Sequence, residues 1–352
     1  MRTLLLPCAG RSSRYPGVRP KWMLTLPDGA LALQRAANSV PSDAYERVVI
    51  AIRADHDASY GCRDLLRRAF GQSAEIVVLD RDTRGPADTV AHMIRQADIT
   101  GAIAIKDADS FFDPAPLPDC SFASVVDVRT APRMANIGAK SFAVVDDNGN
   151  VVEMVEKSLA SNHVCVGLYG CADARLFVEH FLEISRTKVR AELFVSHVLS
   201  SAIRACVSVV PHHVTNLVDV GTLEDWRRYV RSRGTIVCDI DGVVFKNQSQ
   251  YFRPYWDDPE EPIDANVATL REWQENGAQL VFMTARPEAY RAQTQAALAG
   301  LGLDAHALIM NCHHGRRLLI NDHAASNPFP AAVGVSVQRN EATLGDYLRD
   351  WR

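Results

Sequence analysis

No two cysteines in this 352-residue chain are spaced as Cys-x-x-Cys, and the eight that occur, at positions 8, 62, 120, 165, 171, 206, 238 and 312, are scattered. That pattern fits reduced core thiols in a reducing compartment, so a cytoplasmic chain is expected. Basic charge is not in excess either. Lys and Arg number 38 against 42 Asp and Glu, a net charge of -4, which leaves no electrostatic footprint for nucleic acid or an anionic membrane surface. Long apolar runs are missing too. The longest stretch without Asp, Glu, Lys or Arg, His323 to Gln338, is broken by Ser, Asn, Pro and Gln, so no segment reaches the roughly 18 apolar residues of a membrane span. Leu4-Leu5-Leu6-Pro7-Cys8 falls short of the apolar segment of about 7–15 residues that a signal peptide needs. Glycine and proline, 20 and 17, are too few for a collagenous or low-complexity chain. No internal repeat is visible. The partners expected are small molecules or other proteins.

What is present is ordinary globular material, 47% hydrophobic and 23% charged. At a typical domain size of about 150 residues the length predicts two domains. Short apolar runs alternate with helical patterns from the start: Thr3–Cys8, a helix near Ala32–Ser39, Arg47–Ile52, Tyr60–Phe70, Glu75–Leu79, Ala87–Ala97 and Ala102–Lys106. Such alternation predicts βαβ units and a mostly parallel sheet. Strand-like pieces follow at Ala123–Val128, Phe142–Val145, Val151–Val155 and Val164–Tyr169, with Asp147-Asn148-Gly149-Asn150 as a hairpin turn. Helices near Ala172–Ser185 and Phe194–Ala205, a strand at Val207–Pro211 and a helix at Glu224–Arg231 complete this part. At Gly234 the rhythm restarts and the charge turns acidic, with 10 Lys and Arg against 15 Asp and Glu in residues 234–352. The boundary is therefore placed near Arg233, giving domains 1–233 and 234–352. The second is expected to hold a five-strand sheet from Thr235–Ile240, Ala278–Met283, Leu308–Met310, Leu318–Asn321 and Ala332–Val337, with a helix at Glu288–Leu301.

In the first domain, strand Leu4–Pro7 runs into Cys8-Ala9-Gly10-Arg11-Ser12-Ser13-Arg14, then Arg19-Pro20-Lys21. A tight turn of this composition lets backbone N–H groups converge on a phosphate chain, with Arg14 and Lys21 adding charge. Further on come Leu79 to Val90 with Gly85-Pro86-Ala87, the strand end Lys106-Asp107-Ala108-Asp109, Glu156-Lys157, Val166-Gly167-Leu168-Tyr169, and Asp219-Val220-Gly221-Thr222-Leu223-Glu224-Asp225. Taken alone, Asp-x-Asp at a strand end is also a solvated cap, and Thr222 is also a helix N-cap. The adjacent His212 and His213 point to opposite faces of a strand and are read as structural.

In this order the segments resemble the sugar-nucleotide-type nucleotidyltransferases, a GT-A-like and MobA-like group, over roughly the first 230 residues. Cys8 stands where the family has its first Ala, and Ser12 where it has a central Gly. The resemblance implies a nucleotide site at Ala9, Gly10, Arg11, Ser12, Ser13, Gly85, Pro86, Ala87 and Asp107. It implies an acceptor site at Glu156, Lys157 and Gly167, and Mg²⁺ bound by Asp109 and Asp219. Lys21 would hold phosphate oxygens during attack on the α-phosphorus and Arg14 would clamp the departing pyrophosphate. Hard Mg²⁺ suits carboxylate and phosphate oxygens.

In the second domain, Ile236-Val237-Cys238-Asp239-Ile240-Asp241-Gly242 is a buried-strand pattern that ends in paired carboxylates, and it resembles the haloacid-dehalogenase-type phosphatases. The resemblance implies a small α/β domain in which Asp239 attacks phosphorus and Asp241 serves as acid and base. Thr284 in Met283-Thr284-Ala285-Arg286 would bind the phosphoryl group, and a second Mg²⁺ would lie at Asp239, Asp241 and Asp322. The family's Lys is replaced by Arg316 or Arg317, with Arg317 preferred. The stretch between Phe245 and Asp264, carrying Tyr251, Phe252, Tyr255, Trp256, Asp257 and Asp258, is too short for a full cap and reads as a substrate flap or a small satellite core. The tail Ile320 to Pro330, then Gln338-Arg339-Asn340, looks like that of fused proteins of capsule and surface-polysaccharide clusters, in which the acceptor is a sugar phosphate, phosphocholine or a similar metabolite and the nucleotide is often CTP.

The expectation is thus an α/β, two-domain, Mg²⁺-dependent bifunctional enzyme, a nucleotidyltransferase using an NTP and a phosphorylated small-molecule acceptor, fused to a phosphomonoesterase. Two alternatives stay open: an active transferase with a non-catalytic scaffold or dimerisation domain, and a phosphatase whose first domain senses nucleotide. Oligomeric state is also left open.

Overall fold

The computed structural model describes residues 2–130, 137–186, 192–247, 260–322 and 332–349. The chain divides into two compact units, Met1–Asp225 and Trp226–Arg352. Among the described residues no helix is long and apolar enough to cross a membrane.

The larger unit runs β1 (Arg2–Pro7), α1 (Ala32–Ala37), β2 (Arg47–Arg53), α2 (Ala54–Tyr60), α3 (Cys62–Phe70), β3 (Glu75–Leu79), α4 (Pro86–Gln96), β4 (Ala102–Lys106), β5 (Ser110–Phe111), β6 (Ser121–Asp127), β7 (Ser141–Val145), β8 (Val151–Glu156), β9 (His163–Cys171), α5 (Ala174–Ser185), α6 (Val195–Arg204), β10 (Val209–His213) and β11 (Val218–Asp219). The following helix, α7 (Leu223–Arg231), falls across the division between the units. Nine strands form one mixed sheet in the order β10-β6-β9-β4-β1-β2-β3, with β7 joining β9 and β8 pairing β7. β4, β1, β2 and β3 are parallel, as the βαβ rhythm predicts. β9 runs antiparallel between β4 and β6. The predicted hairpin joins β7 and β8, where the Asp146 carboxylate accepts the N–H groups of Asn148 and Asn150 at 3.0 and 2.8 Å.

β1 reads Leu4-Leu5-Leu6 because it lies mid-sheet with helices on both faces, the situation that turns alternation into a continuous apolar run. Leu5 joins a core with Val49, Ile103 and residues of α4, α5 and α6. Leu4 and Leu6 join the opposite core with Leu33, Ile50 and Leu66. Each fully buried leucine contributes about 1.5–3 kcal/mol. α4 starts with Pro86 at its first position, where a missing N–H costs nothing, and Ala87, Val90, Ala91 and Ile94 turn one apolar stripe inward.

The smaller unit holds β12 (Thr235–Asp239), α8 (Asp264–Glu275), β13 (Gln279–Met283), α9 (Arg291–Gly300), β14 (Ala305–Ile309) and α10 (Leu344–Arg349). Its three strands are parallel in the order β12-β13-β14. Asn266 is fully buried and ties three segments together, donating to the carbonyls of Val243 and Glu341 at 2.9 Å and accepting from the Leu344 N–H at 3.1 Å. The expected five strands become three among the described residues. Leu318, Leu319 and Ile320 are 82%, 58% and 83% exposed and form no strand, and 332–337 is likewise irregular. A short apolar run becomes a strand only where a neighbouring edge and a buried face receive it. The aromatic and acidic residues Tyr251 to Asp258 and the tail from His323 to Pro330 lie outside the described residues.

Candidate active site

In the larger unit, functional side chains gather at the ends of β1 and β4. The loop after β1 turns sharply at Ser12, whose φ of 51° is left-handed. That backbone state is the reason a glycine suits this position. The serine adds a hydroxyl that accepts the Lys21 N–H at 3.3 Å. Tyr15, 2% exposed, closes the loop from beneath, its hydroxyl donating to the carbonyls of Val220 and, at 3.0 Å, Thr222. The two ends of the motif series, two hundred residues apart, are therefore joined through one phenol. Burial pushes its hydroxyl above the usual phenol range. Burial likewise raises the Cys8 thiol, so it stays protonated and is no nucleophile.

Asp109 and Asp219 meet. β5 and β11 pair antiparallel with Asp219 opposite Ser110, and the Val220 N–H donates to the Asp109 carbonyl at 2.9 Å. A methyl group built on Gly221 would lie 2.9 Å from Asp219 Oδ1, 3.5 Å from Asp109 Oδ2 and 3.6 Å from Lys140 Nζ. Lys21 Nζ donates to Asp109 Oδ2 at 2.5 Å, Arg14 approaches the same oxygen at 3.9 Å, and Lys140 pairs with Asp219 Oδ2. Burial opposes ionisation of Asp109, yet the charge and hydrogen bond of Lys21, with Lys140 and Arg14 behind it, hold the carboxyl well below the usual range. For Asp107 burial and then the charge of Asp109 prevail and push the carboxyl up. Thr222 also serves as the helix cap: its hydroxyl and the Asp225 carboxylate pair at 2.5 Å, and the hydroxyl accepts the Asp225 N–H at 3.2 Å.

The remaining positions divide. Gly85, at φ 124°, faces the backbone of Leu193, whose carbonyl would lie 2.6 Å from an added methyl, and Ala87 N–H donates to that carbonyl at 3.1 Å. Ala9 and Ala87 are buried in the core and offer no side chain to a ligand, and the Ala87 N–H is already taken by Leu193. Gly10, Arg11 and Ser13 are exposed. Arg11 pairs with Asp82, which Arg53 also holds, linking the loop after β1 to the loop after β3. Gly167 sits at the β9 bulge at φ 75°, and its carbonyl accepts the Asp107 N–H at 2.7 Å. Glu156 accepts the hydroxyls of Ser141, at 2.5 Å, and Ser196. Lys157 points to Glu192 at 3.7 Å and lies 4.6 Å from the centre of the Phe194 ring. His212 is buried against Ser124 Oγ at 2.8 Å while His213 is exposed.

Sequence reasoning missed Lys140 and Lys106. Lys106 is fully buried and donates at 2.8 Å to the carbonyls of Asp107 and Ser110 and to the Ser110 hydroxyl. A lysine closing an otherwise apolar strand one residue before Asp-x-Asp was the available signal. Lys140 carries none.

In the smaller unit Asp239 ends β12, half exposed, with Arg317 3.9 Å from its Oδ1. Asp241 and Thr284 come together just beyond the ends of the paired strands β12 and β13. Thr284 is fully buried and donates to Asp241 Oδ2 at 3.0 Å. Arg286, 4% exposed, clamps Asp241 through Nε at 3.1 Å and NH2 at 2.7 Å and also pairs with Glu260. Asp322 is exposed in irregular chain. Among the described residues no three His, Cys, Asp or Glu side chains gather to hold a metal ion. In the larger unit Asp109 and Asp219 are the carboxylates that could hold Mg²⁺, which is commonly bound by one or two carboxylates together with the phosphates of its substrate.

No family model matches the chain, and no curated protein matches it. Solved structures do. A nucleoside-diphosphate-sugar pyrophosphorylase from Vibrio cholerae RC9 superposes with a TM-score of 0.56 at 20% identity over 65% of this chain and 99% of its own. The inositol-1-phosphate CTP transferase from T. maritima gives 0.52 at 14% identity, covering 64% and 90%. A UDP-glucose pyrophosphorylase complexed with UDP-glucose gives 0.50 at 16%, covering 64% and 96%. Identities this low establish a shared fold, over a share of the chain that matches the length of the larger unit.

Proposed function

We propose that residues 1–225 transfer a nucleotidyl group from a nucleoside triphosphate to a phosphorylated small metabolite and release pyrophosphate. The observation that carries this reading is the convergence of Asp109 and Asp219 with Lys21, Lys140 and Arg14 beside the loop after β1. Two anionic substrates must be drawn together, and this cluster supplies cations for phosphate oxygens and carboxylates for a hard divalent ion. Mg²⁺ held by Asp109 and Asp219 would supply Lewis-acid charge to the phosphates when bound. An acceptor phosphate oxygen attacks the α-phosphorus, the bond to the β-phosphate oxygen breaks, and its electron pair leaves with pyrophosphate. No covalent enzyme intermediate is needed. Lys21 neutralises the oxygens that gain charge and Arg14, largely exposed at the loop, meets the departing pyrophosphate. The names of the structural neighbours and the resemblance of the tail support sugar phosphates or related phosphomonoesters as acceptors, CTP as one candidate nucleotide, and nucleotide-activated precursors of surface polysaccharide as products.

The test is pyrophosphate release with the four NTPs against a panel of phosphomonoesters. Asp109→Ala should abolish it, by about three orders of magnitude or more, and Asp239→Asn should spare it. Turnover that survives Asp109→Ala and Asp219→Ala would falsify the reading.

For residues 226–352 the clamp on Asp241 favours the non-hydrolytic alternative. Both Asp241 oxygens are already engaged by buried donors, Oδ2 by the Thr284 hydroxyl and the pair by the Arg286 guanidinium, so the side chain is tied into the architecture of the unit. Hydrolysis of p-nitrophenyl phosphate by the full chain should not exceed that of Asp239→Asn, and turnover lost in that variant would reinstate a phosphatase.

A further inference from the structure

Lys140 and Lys157 are neighbours by backbone and opposites by side chain. Lys140 precedes β7 and Lys157 follows β8, and the Lys157 N–H donates to the Lys140 carbonyl at 3.0 Å. From this shared point Lys157, at φ 54°, sends its ammonium to Glu192 and the face of Phe194. Lys140 sends its own to Asp219 and to within 3.6 Å of the point on Gly221 that faces both carboxylates. The residue that the motif series assigns to the acceptor is thus engaged elsewhere, and an unassigned lysine occupies the site.

We infer that Lys140, rather than Lys157, supplies the cation that receives the acceptor's phosphate. This rests on the nucleotidyltransferase reading above. A phosphomonoester dianion that approaches Asp109 and Asp219 is repelled by both. Lys21 comes from the loop after β1 and is committed to Asp109 at 2.5 Å, on the side where the triphosphate cradle lies. Lys140 comes from a different segment, at the start of β7, where its backbone is bonded to the end of β8. In the ligand-free state its ammonium neutralises Asp219. With Mg²⁺ held by Asp109 and Asp219, the Lys140 ammonium would be free to turn toward the incoming phosphate. A compact three-donor ammonium on a flexible stem suits that exchange of partners. The bond made and the bond broken are those of the transfer described above, and Lys140 adds no proton step.

Isothermal titration of glucose 1-phosphate, myo-inositol 1-phosphate and phosphocholine into the full chain, with Mg²⁺ and a non-hydrolysable α,β-methylene NTP analogue, tests this. Lys140→Met should weaken the phosphomonoester that wild type binds by about tenfold or more, the size of a lost charged hydrogen bond, and by clearly more than Lys157→Met does. Lys140→Arg should recover part of the loss. Affinity for the NTP analogue alone should hold within about threefold in Lys140→Met, which also reports that the variant is folded. Equal losses in the two methionine variants, or none in Lys140→Met, overturn the assignment while leaving nucleotidyl transfer standing. Wild-type protein that binds the nucleotide but no phosphomonoester also overturns it. Wild-type protein that binds neither overturns the transferase reading and this inference together.

Discussion

Gly167→Ala adds one methyl group where β9 passes Asp107, and its cost can be worked out in two parts. The backbone there has φ 75°, a left-handed state that costs an L-residue about 1–2 kcal/mol. The methyl would also lie 2.7 Å from Asp107 Oδ2 and 2.9 Å from Asp107 Cβ. Asp107 cannot simply withdraw, since its N–H is bonded to the Gly167 carbonyl at 2.7 Å. Overpacking of this kind adds about 1–3 kcal/mol. Gly149→Ala separates the two parts, because Gly149 has φ 81° in the β7–β8 turn with nothing within 4 Å of an added methyl. In scanning calorimetry of a unit this size each kcal/mol lowers the midpoint by about 2–4 °C. Gly149→Ala should therefore lower the larger unit's transition by a few degrees and Gly167→Ala by roughly twice as much. Only Gly167→Ala should slow pyrophosphate release, because only it displaces the Asp107–Asp109 turn. Equal shifts in the two variants would refute the close approach of Gly167 to Asp107.

Two further outcomes are expected. Burial pushes the Lys106 ammonium down from 10.5 to about 8. Across that window the folded chain binds fewer protons than the unfolded one, so stability rises with pH from about 8 to about 10.5 and Lys106→Met removes the rise. Urea midpoints of both proteins at about pH 7.5 and about pH 9.5 check this, and a parallel pH dependence contradicts it. Arg286→Met leaves Asp241 and Glu260, side chains 25% and 15% exposed, without their shared cation and should destabilise the smaller unit by about 3–5 kcal/mol. A calorimetric transition of that unit moving by less than about 2 °C would contradict the clamp.

Much of the larger unit was legible because its signals are local. β3 and β4 lie at Glu75–Leu79 and Ala102–Lys106, the predicted spans, since both are short apolar runs bounded by turn residues. The turn at Asp147-Asn148-Gly149-Asn150 was readable for the same reason, though not the Asp146 carboxylate that caps it. The antiparallel insertion of β9 between β4 and β6 was not, because pairing direction depends on where the chain returns and no local pattern records it. In the smaller unit Leu318-Leu319-Ile320 reads as a strand on composition alone, yet it receives no partner among the described residues.

The two Asp-x-Asp pairs, Asp107 with Asp109 and Asp239 with Asp241, show where sequence reading of a site stops. Both close a parallel strand and both have the same spacing, so the pattern gives them equal standing as chemistry. What separates them is the cation that each second aspartate meets. Asp109 meets Lys21 and Arg14, side chains 26% and 60% exposed on a loop, and its other neighbour is Asp219, so its counterions are partly open to solvent. Asp241 meets Arg286, 4% exposed and further bonded to Glu260 and, at 3.2 Å, Thr294. A bidentate guanidinium clamp of that burial exchanges for nothing without leaving charges stranded. Lys21 was placed by its spacing from the loop, whereas Arg286, two residues beyond Thr284, was visible in the sequence but not its aim. The spacing of the two pairs is the same, and only the assembled fold sets how free each counterion is to move.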